Sequence, residues 1–323
     1  MRLAIVGCGL IGEKRATAAR DHEIVVVCDC DPARAQALAA RTKARAVTDS
    51  RAAIGAEVDA VIVATTHDQL AGIALDAVNA GRHVLAEKPA GRNAAEVRKV
   101  AEAAAAKGVV VKVGFNHRFH PALLKARAIA DSGVLGPLMF IRGRYGHGGR
   151  VGYEKEWRCA PEISGGGELI DQGSHLIDLS RWFLGDLALE YAAAPTYFWS
   201  IPVDDNCFLA LRSAGGAMAW LHASWTEWKN MFSFEIAGRD GKLQIDGLGG
   251  SYGPERLTFY RMLPEMGPPE TTSWEYPFRD ASWDAEFADF AAAIRDRRRP
   301  CGDIHDALAN LEIVEQVYQR YRR

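Results

Sequence analysis

The chain has 323 residues, 48% of them hydrophobic and 25% charged, an ordinary soluble balance at a length beyond the usual single domain, so two domains are expected. A formal net charge of -2 gives no electrostatic reason for binding nucleic acid, and no apolar run approaches the roughly 20 residues of a membrane helix. The partners expected are small molecules and copies of the same chain. The apolar stretch Leu3 to Leu10 is too short and too broken by glycine for a secretory leader and has no A-x-A-like site behind it, so a cytoplasmic location is expected. Six cysteines without a C-x-x-C pair suit reduced thiols better than a disulfide framework or a zinc site.

Leu3 to Val6 reads as a fully apolar strand. It runs into Gly7-Cys8-Gly9-Leu10-Ile11-Gly12 and then an alanine-rich helix to about Arg20, so a G-x-G-x-x-G pattern stands between strand and helix, the setting it requires. The first glycine permits the tight turn, the second lets backbone approach a pyrophosphate, and the third lets helix and strand pack closely, with the phosphates on the helix N-terminus. The next strand, Ile24 to Cys28, ends at Asp29, near the offset of about 20 residues at which a carboxylate grips the adenosine ribose. Asp31 and Pro32 have a plainer role, as N-cap and first residue of a helix to about Arg41. A carboxylate at position 29 repels a 2′-phosphate and position 30 is cysteine rather than arginine, so NAD is expected over NADP, with Arg34 the one residue that favours the latter.

The alternation continues with strands near Ala44 to Val47, Ala60 to Ala64, Val84 to Ala86 and Val109 to Gly114, and with helices from about Asp68 to Ala80 and Asn93 to Lys107. This rhythm predicts a doubly wound parallel sheet of Rossmann type. Thr65 and Thr66 end one of its strands and should line the cofactor crevice, although Thr66 suits a helix cap equally well. The strand Val84 to Ala86 runs straight into Glu87-Lys88-Pro89. Lys88 is thereby presented at a strand's carboxyl end, where open α/β sheets bind ligands, with proline restricting its backbone. Taken alone the same residues read as a surface turn with a solvated ion pair.

Past Phe115 the pattern changes. Asn116-His117-Arg118-Phe119-His120-Pro121 introduces a helix, and strands then follow at about Leu138 to Tyr145, Leu189 to Ala194, Asn206 to Arg212, Ala217 to Trp225 and Met231 to Ala237. Phe232, Phe234 and Ile236 alternate with Ser233 and Glu235, as in a sheet with one buried face, and Ser213-Ala214-Gly215-Gly216 reads as a hairpin turn. The organisation expected is a cofactor domain over 1–118 and an α+β substrate-binding and oligomerisation domain over 119–323, built on a mostly antiparallel, open-faced sheet. From Ser282 the tail is helical, interrupted near Arg299-Pro300, and its terminal helix is able to pack back on the first domain. If the second sheet face carries Trp220, Trp225 and Trp228 it needs a partner, so a homodimer or homotetramer through this sheet is expected.

Gly165-Gly166-Gly167-Glu168-Leu169-Ile170-Asp171-Gln172-Gly173-Ser174-His175-Leu176-Ile177-Asp178 is the second informative stretch. Projected as an α-helix, Glu168, Asp171, Ser174, His175 and Asp178 share one face, and Asp171 and His175 stand one turn apart. That spacing lets a carboxylate and an imidazole converge on one hydroxyl, as proton transfer coupled to hydride loss requires. A wetted polar helix face accounts for the same pattern; the three glycines favour the first reading, because they suggest close approach of backbone to something. Glu168, Asp171 and His175 with His117 or His222 could also ligate a metal, but no zinc-type spacing is present and no metal is expected.

Gly7 to Gly12, Asp29, Gly81 to Pro89 ending in Glu-Lys-Pro, Gly114-Phe115-Asn116 with Arg118-Phe119, and Gly165 to Asp178 together resemble the glucose-fructose oxidoreductase, inositol dehydrogenase and rhizopine-catabolism (Gfo/Idh/MocA) family. The resemblance implies a catalytic trio of Lys88, Asp171 and His175, a cis peptide bond before Pro89, and a second domain with an open sheet. NAD is expected to be held by Gly7, Gly9, Leu10, Ile11, Gly12, Asp29, Thr65, Thr66, Glu87 and Lys88. The substrate class implied is a sugar, inositol or sugar nucleotide, expected at Lys88, Asn116, Arg118, Trp157, Asp171 and His175; Arg118, Trp157, Arg150, Tyr153 and Arg158 suit such a pocket by stacking and charge, and suit loop packing equally well. Hydride would pass from a substrate CH–OH to nicotinamide while His175 takes the proton. One departure stands out: the family often has Thr-Pro followed four residues after the proline by histidine, where this chain has Thr65-Thr66 and Leu70. Two other classes use the same residues, a glycoside hydrolase that oxidises its sugar transiently on held NAD and a non-catalytic NAD sensor.

Overall fold

A computed structural model describes residues 1–321. In chain order it contains β1 (Arg2–Val6), α1 (Leu10–Ala18), β2 (Glu23–Cys28), α2 (Pro32–Thr42), β3 (Arg45–Val47), α3 (Ser50–Ile54), β4 (Ala60–Val63), α4 (His67–Asn79), β5 (His83–Ala86), α5 (Ala94–Lys107) and β6 (Val111–Val113). There follow α6 (Pro121–Asp131), β7 (Leu138–Gly146), α7 (Pro161–Ser164), a π-helical turn Leu169–Gly173, α8 (Ser174–Leu184), β8 (Leu187–Ala193), β9 (Asn206–Ser213) and β10 (Met218–Ser224). The chain continues through β11 (Met231–Gly238), β12 (Gly241–Asp246), β13 (Glu255–Arg261), β14 (Glu270–Tyr276), α9 (Ser282–Arg295) and α10 (Ile304–Tyr321). It groups into two compact units. One comprises Met1–Asn116, Glu162–Gly165 and Trp283–Leu311; the other comprises His117–Pro161, Gly166–Ser282 and the chain from Glu312 onward. Among the described residues no helix is long and apolar enough to cross a membrane.

The first unit is a six-stranded sheet in the order β3-β2-β1-β4-β5-β6, every pair parallel. The order reverses between β1 and β4, the switch point at which such sheets bind ligands. Its local signals were readable. The Asp31 carboxylate accepts from the Ala33 amide at 2.9 Å and Pro32 opens α2, while Asn93 caps α5 through the Glu96 amide at 2.9 Å. The short α3, capped by Asp49, had no visible signal, because five residues show no helical period. Leu3, Ile5, Val27, Ile62 and Leu85 bury one sheet face against Leu38 and against Phe287 and Phe290 of α9, each such side chain contributing about 1.5–3 kcal/mol by leaving water.

The second unit is an eight-stranded sheet in the order β14-β13-β12-β11-β7-β10-β9-β8, antiparallel except where β7 and β10 run parallel. The strands β12, β13 and β14 extend the expected sheet. β14 escaped reading because its Glu-Thr-Thr-Ser run is polar and exposed; β12, where Leu243 and Ile245 alternate with Lys242, Gln244 and Asp246, carries the period-2 signal and was overlooked. One face packs on α6 and α8. The other carries Trp220, 54% exposed, beside charged residues such as its strand partner Arg142, which pairs with Glu235 at 2.5 Å. Trp225 was expected on that face and is not there: it is fully buried beside Tyr153, Cys159 and Val203. Trp228 is exposed on the loop after β10 rather than on the sheet.

The stretch from Glu168 to Asp178 also departs from a regular α-helix, since Leu169–Gly173 forms a π turn before α8 begins. Its polar residues are not wetted: Glu168, Asp171, Ser174, His175 and Asp178 are all buried. The preceding glycines are spaced for close approach to the protein itself. A Cβ on Gly166 would lie 2.1 Å from the Tyr318 hydroxyl oxygen, and one on Gly167 2.0 Å from the Asp204 carbonyl oxygen. The Asp204 carboxylate accepts from the Gly167 and Leu169 amides at 3.1 and 2.7 Å, so it caps the π turn that carries Asp171.

Candidate active site

In the first unit the strand registers build one edge. Val6 pairs with Cys28 and with Val63, Val63 with Ala86, and Ala86 with Val113. The next residue of each strand, Gly7, Asp29, Ala64, Glu87 and Gly114, therefore falls in a row at the carboxyl ends. Gly7 has φ +97°, and a Cβ there would lie 2.2 Å from the Ala64 carbonyl oxygen, so no other residue makes this turn. A Cβ on Gly12 would lie 1.9 Å from the Gly7 carbonyl oxygen, whereas one on Gly9 meets nothing within 4 Å. Backbone is thus packed tight on the inner side of the turn and open on the outer side. No side chain caps α1, so its first amides and dipole face that opening. Asp29 is buried, its two oxygens accepting from the Cys8 amide at 2.7 Å and the Asp31 amide at 2.9 Å. The oxygen facing Asp31 also accepts from the Cys30 thiol at 3.7 Å, and the one facing Cys8 keeps a lone pair for a ribose hydroxyl. These residues fit a dinucleotide.

Beneath this edge lies a buried charge cluster that sequence reasoning missed. Arg15 of α1, with no exposure, donates to Glu87 at 2.6 Å and to Glu286 of α9 at 2.5 Å. Burial disfavours its charge, but Glu286 and Glu87 more than offset this and raise its pKa. The glycine-motif helix, the strand end before Lys88 and α9 are tied together through one guanidinium. Glu87, expected among the cofactor residues, thus engages one oxygen with Arg15. Lys88 is half-buried, and its bond to Pro89 is cis. Thr66 stands at the N-cap of α4 but sends its hydroxyl to the Asp68 carboxylate at 2.6 Å rather than to the helix backbone, and Thr65 is half-buried beside it.

In the second unit the π turn and α8 gather a polar cluster. The rings of His117 and His175 stack with centroids 3.7 Å apart and planes 18° from parallel. Tyr145 of β7 sets its edge on both, at 5.2 and 6.2 Å, and burial foremost, with Tyr252, Asp171 and Glu168, pushes its pKa well up. The phenol therefore stays a donor. On the far side of His117, His120 lies 5.7 Å away and holds Glu255 at 2.9 Å. Arg158 lies 3.3 Å from Asp171 and over the Trp157 ring at 4.6 Å. Burial works against its charge, while Asp171, Tyr153 and Glu156 raise its pKa. Gln172 donates to the Tyr252 hydroxyl at 3.1 Å.

Asp171 and His175 thus sit in one buried cluster, with Trp157 linked to it through Arg158. Arg118, expected at the substrate, grips Asp178 bidentately at 2.8 and 2.6 Å and braces α8. Asn116 is buried at the end of the first unit. Tyr153 is buried against Trp225 with ring centroids 5.0 Å apart, and Arg150 pairs with Glu156 at 2.6 Å. Tyr145, Gln172 and Tyr252 were not foreseen. They come from a strand, a π turn and a loop far apart in sequence, and no local motif announces them. Among the described residues no group of three or more histidine, cysteine, aspartate or glutamate side chains could hold a metal.

A parallel sheet with a glycine turn, a buried carboxylate and a lysine along one edge, joined to a unit with a mostly antiparallel sheet, defines a two-part nucleotide-dependent oxidoreductase class. Residues 1–115 match the oxidoreductase family with an NAD-binding Rossmann fold, and residues 123–244 match the GFO/IDH/MocA C-terminal domain. The chain belongs to the GFO/IDH/MocA family. It is 31% identical over 228 residues to inositol 2-dehydrogenase 2 of Saccharopolyspora erythraea, covering 68% of this chain and 65% of that protein. It is 28% identical over 214 residues to levoglucosan dehydrogenase of Pseudarthrobacter phenanthrenivorans, covering 58% of this chain and 55% of that one. In both comparisons the chain spans less than two thirds of the relative's length. A solved structure of levoglucosan dehydrogenase with NADH and levoglucosan superposes with a TM-score of 0.87, covering 99% of this chain and 96% of that chain at 22% identity, a likeness of fold.

Proposed function

We propose that the protein is an NAD-dependent dehydrogenase that oxidises a CH–OH group of a sugar, inositol or sugar derivative. The observation that carries this is the row of strand ends that sets Gly7, Asp29 and Glu87 with Lys88 along one sheet edge. Residues 1–118 act as the cofactor domain and 119–323 as the substrate and oligomerisation domain. Gly7 to Gly12 and Asp29, with Thr65, Thr66, Glu87 and Lys88, would hold NAD, which when bound supplies the hydride acceptor. His175 accepts the hydroxyl proton. Asp171 orients that hydroxyl or the imidazole, and Lys88 hydrogen-bonds the same oxygen, so that the negative charge developing there has a donor. Asp29 repels a 2′-phosphate, so NAD is preferred to NADP. The test is a panel of sugars, inositols and nucleotide sugars with each cofactor, read by absorbance of the reduced nicotinamide; reduction by at least one polyol, faster with NAD, is expected.

The exposed Trp220 on the open sheet face supports association of copies through that face. A dimeric or tetrameric mass by light scattering is expected; a monomer would contradict it.

A further inference from the structure

We propose that Gln172 and Tyr252 form a diol-recognition pair, which fixes a substrate hydroxyl next to the one that is oxidised. The inference rests on the polyol dehydrogenase reading above and adds which neighbouring group the site demands.

Gln172 lies between Asp171 and His175 on the π turn and is only 6% exposed. Its Nε2 donates to the Tyr252 hydroxyl at 3.1 Å, but its buried Oε1 meets no protein donor. A buried amide oxygen left unpaired forfeits its hydration without recompense, and in a folded protein such an atom calls for a ligand or water. Exchanging the amide's two ends would exchange which one is left over, not the fact that one is. The Tyr252 hydroxyl accepts from Gln172 at 3.1 Å, so its own proton is directed away from the amide. Burial foremost holds Tyr252 in its protonated form, and a phenol that accepts a hydrogen bond is polarised into a stronger donor.

An acceptor and a donor thus stand side by side, in contact with the reaction cluster. The Tyr145 ring lies 5.1 Å from that of Tyr252 and 6.2 Å from that of His175. Tyr252 also borders a cleft of about 440 Å³, formed with Lys229, Asn230, Met231, Phe232 and the loop Gly250–Gly253, room for a sugar ring against a lining of mixed polarity. A hydroxyl is the group that matches the pair, because it donates to the Gln172 oxygen and accepts from the Tyr252 phenol with one atom.

The test compares wild type, Gln172→Leu and Tyr252→Phe on D-glucose, myo-inositol and their monodeoxy derivatives with NAD. Thermal midpoint and NAD affinity serve as controls for folding. On a turned-over parent polyol each variant should lose about 10–100-fold in kcat/KM. On the one deoxy compound that lacks the recognised hydroxyl, wild type should show a similar loss and the variants little more, so that the losses do not add. Equal variant penalties on the parent and on every deoxy compound, or no penalty at all, would overturn the pair while leaving the dehydrogenase reading intact. If wild type oxidises none of these probes, nor any member of the wider panel, the dehydrogenase reading itself fails and the pair falls with it.

Discussion

Replacing His175 by asparagine should lower kcat by about 10²–10⁴-fold, the usual contribution of a positioned general base, while NAD affinity stays close to wild type. Lys88→Met should have a loss of the same order for a different reason: methionine keeps the length and apolar stem of lysine but donates nothing to the substrate oxygen. Both outcomes follow from where the residues stand. His175 belongs to the buried cluster of the second unit, packed on His117, and no part of the glycine turn depends on it. Lys88 follows Glu87, whose bond to Arg15 fixes the strand end without the lysine's ammonium. Steady-state kinetics and calorimetric titration with NAD separate the two effects. A variant at either position that kept near wild-type turnover would remove that residue from the mechanism, and one that lost NAD binding would place it in the cofactor site instead.

Arg15→Met should destabilise the protein by about 3–5 kcal/mol, the penalty for removing one partner of a buried ion pair. The substitution leaves Glu286 fully enclosed, and Glu87 nearly so, without their shared cation. Burial already raises the pKa of Glu286, with Arg15 opposing that shift. In the variant only Lys112 still opposes it, so the carboxyl would protonate at still higher pH. An acid whose folded pKa lies above its unfolded value destabilises the fold as pH rises, and the penalty fades as pH falls. The loss of stability should therefore shrink on acidification, an effect that urea midpoints across pH would reveal. Arg15→Lys should not restore stability, because a single ammonium lacks the guanidinium fork that reaches two carboxylates at once. A midpoint equal to wild type at neutral pH would contradict this account of the cluster.

Much of the first unit was legible because its signals are local. A strand, a glycine turn and a helix follow one another within 18 residues, and the Asp29 carboxylate ends the next strand. Arg15 was invisible at the same stage. A charged residue three positions beyond Gly12 looks like the wetted side of a helix, and only the return of α9 onto the sheet encloses it. The second unit repeats this contrast. Asp171 and His175 could be singled out from their spacing and glycine context, yet the face they share is enclosed rather than wetted and its first turn is π rather than α. Helical projection carries no information on what another element will cover. Trp225 illustrates the same limit, since a tryptophan at a strand's end can face out or, as here, turn inward onto Tyr153. Tyr145 and Tyr252 meet His117, His175 and Gln172 only through the order of the second sheet, which pairs β7 with β10 and β11.

The most direct test of the central claim is formation of reduced nicotinamide when the purified protein is given NAD and a panel of sugars, inositols and nucleotide sugars, with products analysed in the same samples. NADH should accumulate together with the corresponding keto product of at least one polyol, and both should be lost in His175→Asn. Sugar release without net NADH, or NAD binding with no product from any member of the panel, would contradict it.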